Sequence, residues 1–292
     1  MTPPPPLAHT PIVHHPFSFP VGPFAFTGFG IAVLLAFVVA QLVGQRELAR
    51  RGHDPQPVGD MIFAAVIGGL LGAKLYYVIV LRNYDALFTR GGFVFWGGLI
   101  GGIIAVLLVI LKKGIPVWRI FDVGGPAVAA AYAVGRTGCW AVGDDYGRPW
   151  NGFLAVQFPE GAPPSTVSIM SRDFGVRFPP GTPPEQVVAV HPTQLYEVSM
   201  ALVMFGVLWR LRDHKHAEGW LFGVYCVLAG IERFIVEFFR AKDDRIGGGL
   251  TYAQLIAIAF VVLGFGIMYW KRRATASAPG IYAAAPGLTT TR

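Results

Sequence analysis

Seven long apolar runs, separated by shorter polar connections, restrict more than any other feature how this chain can fold. A run of about 20 apolar residues is long enough to cross the hydrocarbon core of a bilayer. The composition agrees, because 14% of the residues are charged, against roughly 25% in a soluble domain. The pattern predicts an all-α membrane protein, a bundle of about seven transmembrane helices. The predicted spans are 24–43, 60–81, 93–111, 120–136, 195–211, 219–239 and 250–270.

The basic residues of the connections predict the orientation of these spans. The connections after spans one, three and five and the C-terminal tail carry thirteen Lys and Arg, and the opposite side carries nine. Positive charge in short loops marks the cytoplasmic side, so we expect the N-terminus outside and the C-terminus inside. The basic residues lie in short clusters between apolar runs, which argues against a nucleic-acid-binding face.

The same pattern divides the chain into three parts. Residues 1–23 lack Lys and Arg, unlike a cleaved signal peptide, and are predicted to form an external tail. Residues 24–270 form the membrane core, with residues 148–194 inserted as a small external head in which Phe153–Phe158 is the one strand-like run. Residues 271–292, rich in Ala, Pro, Gly and Thr, are predicted to form a disordered cytoplasmic tail.

A charged and glycine-rich stretch, Gly135–Arg148, begins at the end of the fourth span. Charge near hydrocarbon is costly unless it is paired or hydrated. Arg136, in this stretch, and Arg233, in the sixth span, could bind one phosphate together. The planar guanidinium of arginine binds oxyanions with two parallel hydrogen bonds. The alternative is that both arginines form structural bridges with acidic residues. The candidate partners are Asp144, Asp145, Glu197 and Glu237.

Two further motifs place polar groups at the ends of predicted spans. In the sixth span, Arg233, Glu237 and Arg240 are spaced i, i+4, i+7 and share one helical stripe. Arg233 lies about two turns deeper than Arg240 and must face the bundle interior or a wet cavity. In the motif that opens the fifth span, Thr193 is predicted to cap the helix, and His191 is predicted to form a hydrogen bond or to accept a proton.

Other polar and small residues indicate packing more than chemistry. Cys139 and Cys226 form no Cys-x-x-Cys motif, so neither zinc nor a disulfide framework is supported. The glycines of 91–102 predict a close helix–helix approach, with a lipid-lined groove as the alternative. Lys74, inside the second span, is predicted to support an anionic headgroup or to pair with an acid.

Three of these motifs together resemble the prolipoprotein diacylglyceryl transferase family of bacterial inner-membrane enzymes. The first motif runs from Gly135 to Arg148, beginning with Gly-Arg-Thr-Gly and ending with Gly-Arg. The second is His-Pro-Thr-Gln-Leu-Tyr-Glu at 191–197, and the third is Arg-Phe-Ile-Val-Glu-Phe-Phe-Arg at 233–240. The resemblance implies a multi-pass bundle with a periplasmic head and a cavity open sideways to membrane lipid. It also implies transfer of a diacylglyceryl group from phosphatidylglycerol to the lipobox cysteine of prolipoproteins, with no metal or organic cofactor.

The resemblance also assigns site residues. Arg136 and Arg233 correspond to the essential arginines of the family, and Arg136 is also expected to bind the substrate. The resemblance adds Gly147, Glu237 and Arg240 around the substrate, and the charged motifs themselves add Glu197, Asp144 and His191. Asp144, Glu197 and His191 remain alternative acceptors of the thiol proton. The chain departs from the best-known members at three positions: it has Cys139 where they have Asn, Trp96 where they have His, and Thr27 where they have Tyr. A lipid or anion transporter without enzymatic activity and an inactive paralogue remain rival interpretations.

Overall fold

The computed structural model describes residues 10–22, 24–82, 84–88, 92, 94–241 and 249–272. Within these residues the chain is predominantly helical. The α-helices are α1 Gly28–Arg50, α2 Gln56–Leu81, α3 Phe95–Lys112, α4 Val117–Val142, α5 Val167–Phe174, α6 Thr193–Leu211, α7 Trp220–Glu237 and α8 Tyr252–Trp270. The strands are β1 Ile12–Val13, β2 Ser18–Val21, β3 Phe24–Thr27, β4 Val156–Gln157 and β5 Ala189–Val190, and a short 3₁₀ helix spans Tyr84–Phe88.

The membrane character predicted from the sequence is supported by the described helices. By length and composition, α1, α2, α3 and α8 can each cross a bilayer, and their apolar side chains are largely exposed. The remaining long helices, α4, α6 and α7, carry the buried acids Asp122, Glu197, Glu232 and Glu237, and α1 carries Glu47 at its C-terminal end.

The first predicted span began too early and ended too early. Residues 24–27 form strand β3, which pairs antiparallel with β2, and the helix begins at Gly28 with Thr27 accepting a hydrogen bond from the Gly30 amide. The helix then continues to Arg50, because Glu47 is fully buried and paired with Arg51 at 2.9 Å. A charged helix end thus extends the helix beyond the apolar run.

Helix α4 is central, as its Asp122 and small residues indicated. It packs against α1, α6 and α7. The fully buried Asp122 accepts hydrogen bonds from the amides of Gly219 (2.8 Å) and Phe222 (2.9 Å) at the start of α7. One carboxylate therefore joins α4 to the N-terminal end of α7, the end of the bundle remote from Arg136.

Glycines allow the helix pairs to approach closely. A Cβ on Gly72 would lie 2.3 Å from the Gly97 carbonyl oxygen, and a Cβ on Gly101 would lie 2.3 Å from the Gly68 carbonyl oxygen. The packing interpretation of the glycine run is thus confirmed for its described residues; Gly91 and Phe93 lie outside them. Lys74 lies over the ring of Tyr77, with Nζ 5.7 Å from its centroid.

The long connection after α4 folds into a small head with its own core. Strand β4 pairs parallel with β1 and antiparallel with β5, and α5 contributes Val167 and Met170 to the same core. The core residues are Tyr146, Val156, Phe158, Val167, Met170, Val188, Val190 and Ala241. The sequence had indicated one strand over 153–158. The structure has only Val156–Gln157 there, and it adds β5, α5 and a strand from the predicted tail.

The strand β1 explains why the predicted tail is only partly a separate segment. Residues 12–13 pair with the head, and the His14 ring stacks on Trp140 of α4 with centroids 4.5 Å apart. Each added strand is two residues long, too short for an alternating pattern to appear in the sequence. The disordered tail predicted for 271–292 lies outside the described residues from 273 onward and stays a prediction.

Candidate active site

The end of α4 opposite Asp122 turns sharply into the head. The helix ends at Val142, and Gly143 adopts a left-handed conformation (φ 68°) that lets its amide bond back to the carbonyls of Cys139 and Trp140. Asp145 also has positive φ (55°). This reversal brings Asp144 through Arg148 back across the ends of α6 and α7, where the charged residues of all three helices meet.

Arg136 lies at the centre of this cluster. One guanidinium nitrogen, Nη1, donates to Asp145 Oδ2 at 2.8 Å and to Cys139 Sγ at 3.2 Å, and Nη2 donates to Glu197 Oε2. The Arg136 side chain is 12% exposed and that of Glu197 is 2% exposed. The bridge alternative from the sequence is thus correct in its geometry: Arg136 is held in position by two carboxylates.

Arg240 connects the cluster around Arg136 to Glu237 of α7. Its Nη2 lies 2.9 Å from Asp145 Oδ1, so Asp145 bridges two arginines. Its Nη1 is 4.0 Å from Glu197, and its Nε is 4.0 Å from Glu237. The network therefore runs from α4 through the turn and α6 to α7, and Arg240 belongs to it rather than extending to a membrane surface.

Arg233 forms the most open part of the network. Its Nη2 lies 2.7 Å from Glu237 Oε2, one helical turn away, and its side chain is 34% exposed. Glu237 is buried, so Arg233 is anchored at one nitrogen while the rest of its guanidinium borders the surface. The helical stripe predicted for these residues is present, and it forms one wall of the site.

The backbone at Gly147 bonds to the segment just before α6 and to the segment just after α7. Its amide donates to the His191 carbonyl at 2.9 Å, and the next amide, that of Arg148, donates to the Phe239 carbonyl at 2.8 Å. A Cβ on Gly147 would lie 2.4 Å from the Phe239 carbonyl oxygen. The glycine is needed because its backbone contacts that of Phe239, in the turn that follows α7.

His191 lies beside this crossing, among aromatic rings. Its imidazole stacks on Trp150 with centroids 4.3 Å apart, and its Nδ1 is 3.1 Å from the Tyr196 hydroxyl. Burial, with a further contribution from Arg148, lowers the pKa of His191 to about 4. The hydrogen-bonding role expected for His191 is confirmed. A base with so low a pKa holds a proton poorly at neutral pH.

The predicted helix cap at Thr193 was wrong. Helix α6 begins at Thr193 without a side-chain cap, and the Thr193 hydroxyl donates to the Asp145 carbonyl at 2.7 Å. The Gln194 side chain donates to the Asp144 carbonyl. Both side chains satisfy the turned backbone instead of their own helix, since that turn leaves carbonyls pointing at α6. This pairing was not visible in the sequence because its partners are about 50 residues apart.

Asp144 differs electrostatically from its neighbour. Burial raises the pKa of Asp144, and the negative charge of Asp145 adds to that effect, while the two arginines and Cys139 oppose it. For Asp145 the arginines prevail: burial alone would raise its pKa, but Arg240 and Arg136 hold it below the usual value. Two adjacent carboxylates thus have different proton affinities.

Cys139, Asp144 and Asp145 have ligand atoms within 4.8 Å of one another, which raises the question of a metal ion. Asp145 is already paired with two guanidiniums, and Cys139 Sγ accepts from Arg136. A cation placed there would face two positive charges at contact distance. These residues therefore fit an anion-binding site better than a metal centre.

Two residues that contact the site, Tyr132 and Glu232, were not predicted from the sequence. Tyr132 of α4 places its hydroxyl 3.2 Å from Glu197 and 3.3 Å from Glu232 of α7. Neither Tyr132 nor Glu232 belongs to the motifs that drew attention, although Tyr132 is one helical turn from Arg136 and a buried acid next to Arg233 is itself a signal. Trp96 lies at the start of α3, half exposed against Phe95 and apart from this network.

Fold and site together define a multi-helix membrane protein with an arginine–carboxylate site where three helices meet. The model of the prolipoprotein diacylglyceryl transferase family matches residues 16–270, and the chain belongs to that family. Relatives named phosphatidylglycerol–prolipoprotein diacylglyceryl transferase include one from Clostridium tetani, 30% identical over 81% of this chain and 90% of the relative. Another, from Bordetella parapertussis, is 30% identical over 88% of this chain and 95% of the relative. A third, from Corynebacterium diphtheriae, is 29% identical over 87% of this chain and 91% of the relative.

Proposed function

We propose that this protein transfers the diacylglyceryl group of phosphatidylglycerol to the thiol of a lipobox cysteine in prolipoproteins. The observation that carries the proposal is the convergence of Arg136, Arg233 and Arg240 at one end of the bundle, held by buried carboxylates. Fixed guanidiniums offset charge that develops on a leaving phosphate without reorganising. Family membership and the relatives' names supply the substrates.

The proposed topology follows the charge of the connections. All seven long helices cross the bacterial inner membrane, with the N-terminus and the head in the periplasm and the C-terminus in the cytoplasm. Short connections rich in Lys and Arg support this orientation. Helices α4, α6 and α7 tolerate their charged residues because they pair inside the bundle. The site then opens on the periplasmic side, where the cysteine of a translocated prolipoprotein is presented.

In the proposed reaction the arginines bind the phosphate of phosphatidylglycerol. Arg233, with the most exposed guanidinium of the three, makes the first contact, and Arg136 and Arg240 lie behind it. The cysteine thiol loses its proton, its sulfur bonds to the glycerol carbon, and the carbon–oxygen bond to phosphate breaks. Glycerol phosphate leaves with the electron pair of that bond, stabilised by the guanidiniums.

We assign the thiol proton to Asp144. His191 has a lowered pKa and lies among aromatic rings, and Glu197 is committed to Arg136. Asp144 has a raised pKa and is not an ion-pair partner of any described residue within 4.0 Å. A general base works best when its pKa approaches the working pH, and Asp144 is the candidate shifted in that direction.

Replacing Arg233 with alanine tests the proposed function. We expect the transfer of diacylglyceryl to a lipobox peptide, followed by mass spectrometry, to fall by roughly 100-fold or more, because the leaving phosphate loses a preorganised charge. Arg210→Ala, at the other end of α6, is the matched control and should retain wild-type activity. The wild-type gene should also support growth of cells depleted of their own transferase. A purified wild-type protein that binds phosphatidylglycerol but transfers nothing would favour a transporter or an inactive paralogue.

Replacing Asp144 with asparagine tests the base assignment. Because the amide cannot accept the thiol proton, we expect kcat to fall by about 100-fold, within the usual range for a lost general base. Raising the pH, which supplies thiolate directly, should partly restore the rate. Asp173→Asn, an exposed acid of the head, serves as the control. An unchanged rate in Asp144→Asn at neutral pH would eliminate Asp144 as the acceptor.

A further inference from the structure

The hydroxyl of Tyr132 lies between two buried carboxyl groups. It is 3.2 Å from Glu197 Oε1 and 3.3 Å from Glu232 Oε1, and the three side chains come from α4, α6 and α7. Glu197 is 1% exposed and Glu232 is 7% exposed. The proposed reaction uses neither Tyr132 nor Glu232, so their arrangement requires a separate explanation.

Counting protons favours an arrangement in which one of these carboxyl groups is neutral. A phenol has one proton and can donate it to one carboxylate. The second carboxyl group can bond to the phenol oxygen only by donating a proton of its own. Two carboxylates at this distance from one buried hydroxyl would otherwise leave an unsatisfied, repelling pair, which is costly in a low-dielectric interior.

The surroundings of the two acids differ, and those of Glu232 favour the neutral form. Glu197 is paired with Arg136 and lies 4.0 Å from Arg240, which favours its charged form. For Glu232, no Lys or Arg nitrogen of the described chain lies within 4.0 Å of the carboxyl group. Glu232 also borders an apolar groove of about 290 Å³ between α6 and α7, lined by Met200, Val203, Leu228, Ile231 and Ile235. An uncharged acid suits such a wall better than a carboxylate.

We propose that Glu232 is a protonated positioning residue: it donates to Tyr132, which donates to Glu197 and thereby holds Arg136 in its catalytic orientation. The Tyr132 ring also faces Arg136, with the guanidinium carbon 6.0 Å from the ring centroid. Tyr132 therefore contacts Arg136 directly and through Glu197. The inference rests on the proposed function for its effect on turnover, but the protonation state of Glu232 is independent of it.

The decisive variant is Glu232→Gln, because the side-chain amide donates to Tyr132 as the protonated acid does and carries no charge. We expect transfer within about 3-fold of wild type, since one neutral donor replaces another. Glu232→Leu and Tyr132→Phe should each lower kcat by about 10-fold with little change in KM, because the hydrogen bond that orients a charged group is lost. Thermal unfolding of each variant identifies losses caused by misfolding.

The pH profile separates a positioning role from a merely structural one. Wild-type activity should decline at alkaline pH as Glu232 ionises, and Glu232→Gln should lack that decline. The charged or titratable groups around Glu232 are Tyr132 and Arg136 of α4, Glu197 of α6, and Tyr225, Arg233 and Arg240 of α7 and its C-terminal end. Helix α8 contributes no Asp, Glu, His, Lys or Arg.

An infrared measurement tests the proposal without any activity. At neutral pH, the difference spectrum between wild type and Glu232→Gln should contain the C=O stretch of a protonated carboxylic acid. Absence of that band, or a Glu232→Gln variant as slow as Glu232→Leu, would overturn the assignment. If wild type transfers no diacylglyceryl group but the band is present, the proposed function fails while the protonation of Glu232 stands.

Discussion

Replacing Arg136 with alanine is expected to reduce diacylglyceryl transfer by about 100- to 1000-fold, the usual cost of removing a preorganised charge at a leaving group. Arg136 is 12% exposed and binds Glu197 and Asp145, so the change also leaves the buried Glu197 carboxylate with a weaker partner. Breaking a buried ion pair on one side costs roughly 3–5 kcal/mol of stability. Thermal unfolding must therefore accompany the transfer assay.

Two companion variants separate catalysis from stability at this position. Arg136→Lys keeps the charge but loses the planar fork that binds an oxyanion at two points, so we expect a large loss of activity with a smaller loss of stability. In Arg136→Ala/Glu197→Gln the unpaired buried charge is removed, which should restore stability and leave transfer as low as in the single variant. Arg172→Ala, in an exposed pair with Asp173, is the control. Recovery of transfer in the double variant would show that Arg136 is only a structural bridge.

Replacing Gly147 with alanine is expected to damage both stability and activity. The added methyl group would lie 2.4 Å from the Phe239 carbonyl oxygen, 2.7 Å from His191 Cβ and 2.8 Å from Thr193 Cγ2. The Phe239 carbonyl cannot move away freely, since it accepts a hydrogen bond from the Arg148 amide. Overpacking of this kind costs about 1–3 kcal/mol. Any separation of the two segments also moves Arg240, the residue after Phe239, away from Asp145.

The control for Gly147→Ala is Gly206→Ala in α6, where an added Cβ meets no atom within 4 Å. That change should leave transfer unchanged. The measurements are the unfolding temperature in detergent and the rate of transfer to a lipobox peptide. A Gly147→Ala protein with wild-type values of both would show that the close contact between Gly147 and Phe239 is not needed for the site.

The charged motifs identified most of the site because each charge in a membrane segment requires a partner. Arg136, Glu197, Arg233, Glu237 and Arg240 were all expected near one another, and the structure brings them together. The pairing itself was not predictable. Asp145 was only one of four acidic candidates, and its bridging role depends on a backbone conformation with positive φ.

The short elements of the head could not be predicted from sequence patterns. Strands β1, β4 and β5 have two residues each, and α5 has eight. An alternation of period two cannot be recognised over two residues, and a parallel partner such as β1 lies more than 140 residues from β4. These elements form because Tyr146, Phe158 and Met170 bury a shared core, and that core exists only when the distant segments meet.

The sequence by itself determined that this chain is a helical membrane protein, that its charges gather at the ends of particular spans, and which three motifs supply the candidate site. Hydropathy and helical spacing are local properties, so a reader of the chain can measure them. The tertiary structure alone decided that Asp145 joins two arginines, that Gly147 must lack a side chain, and that Tyr132 lies between two acids. Those relations depend on contacts between α4, α6 and α7, which no local pattern records.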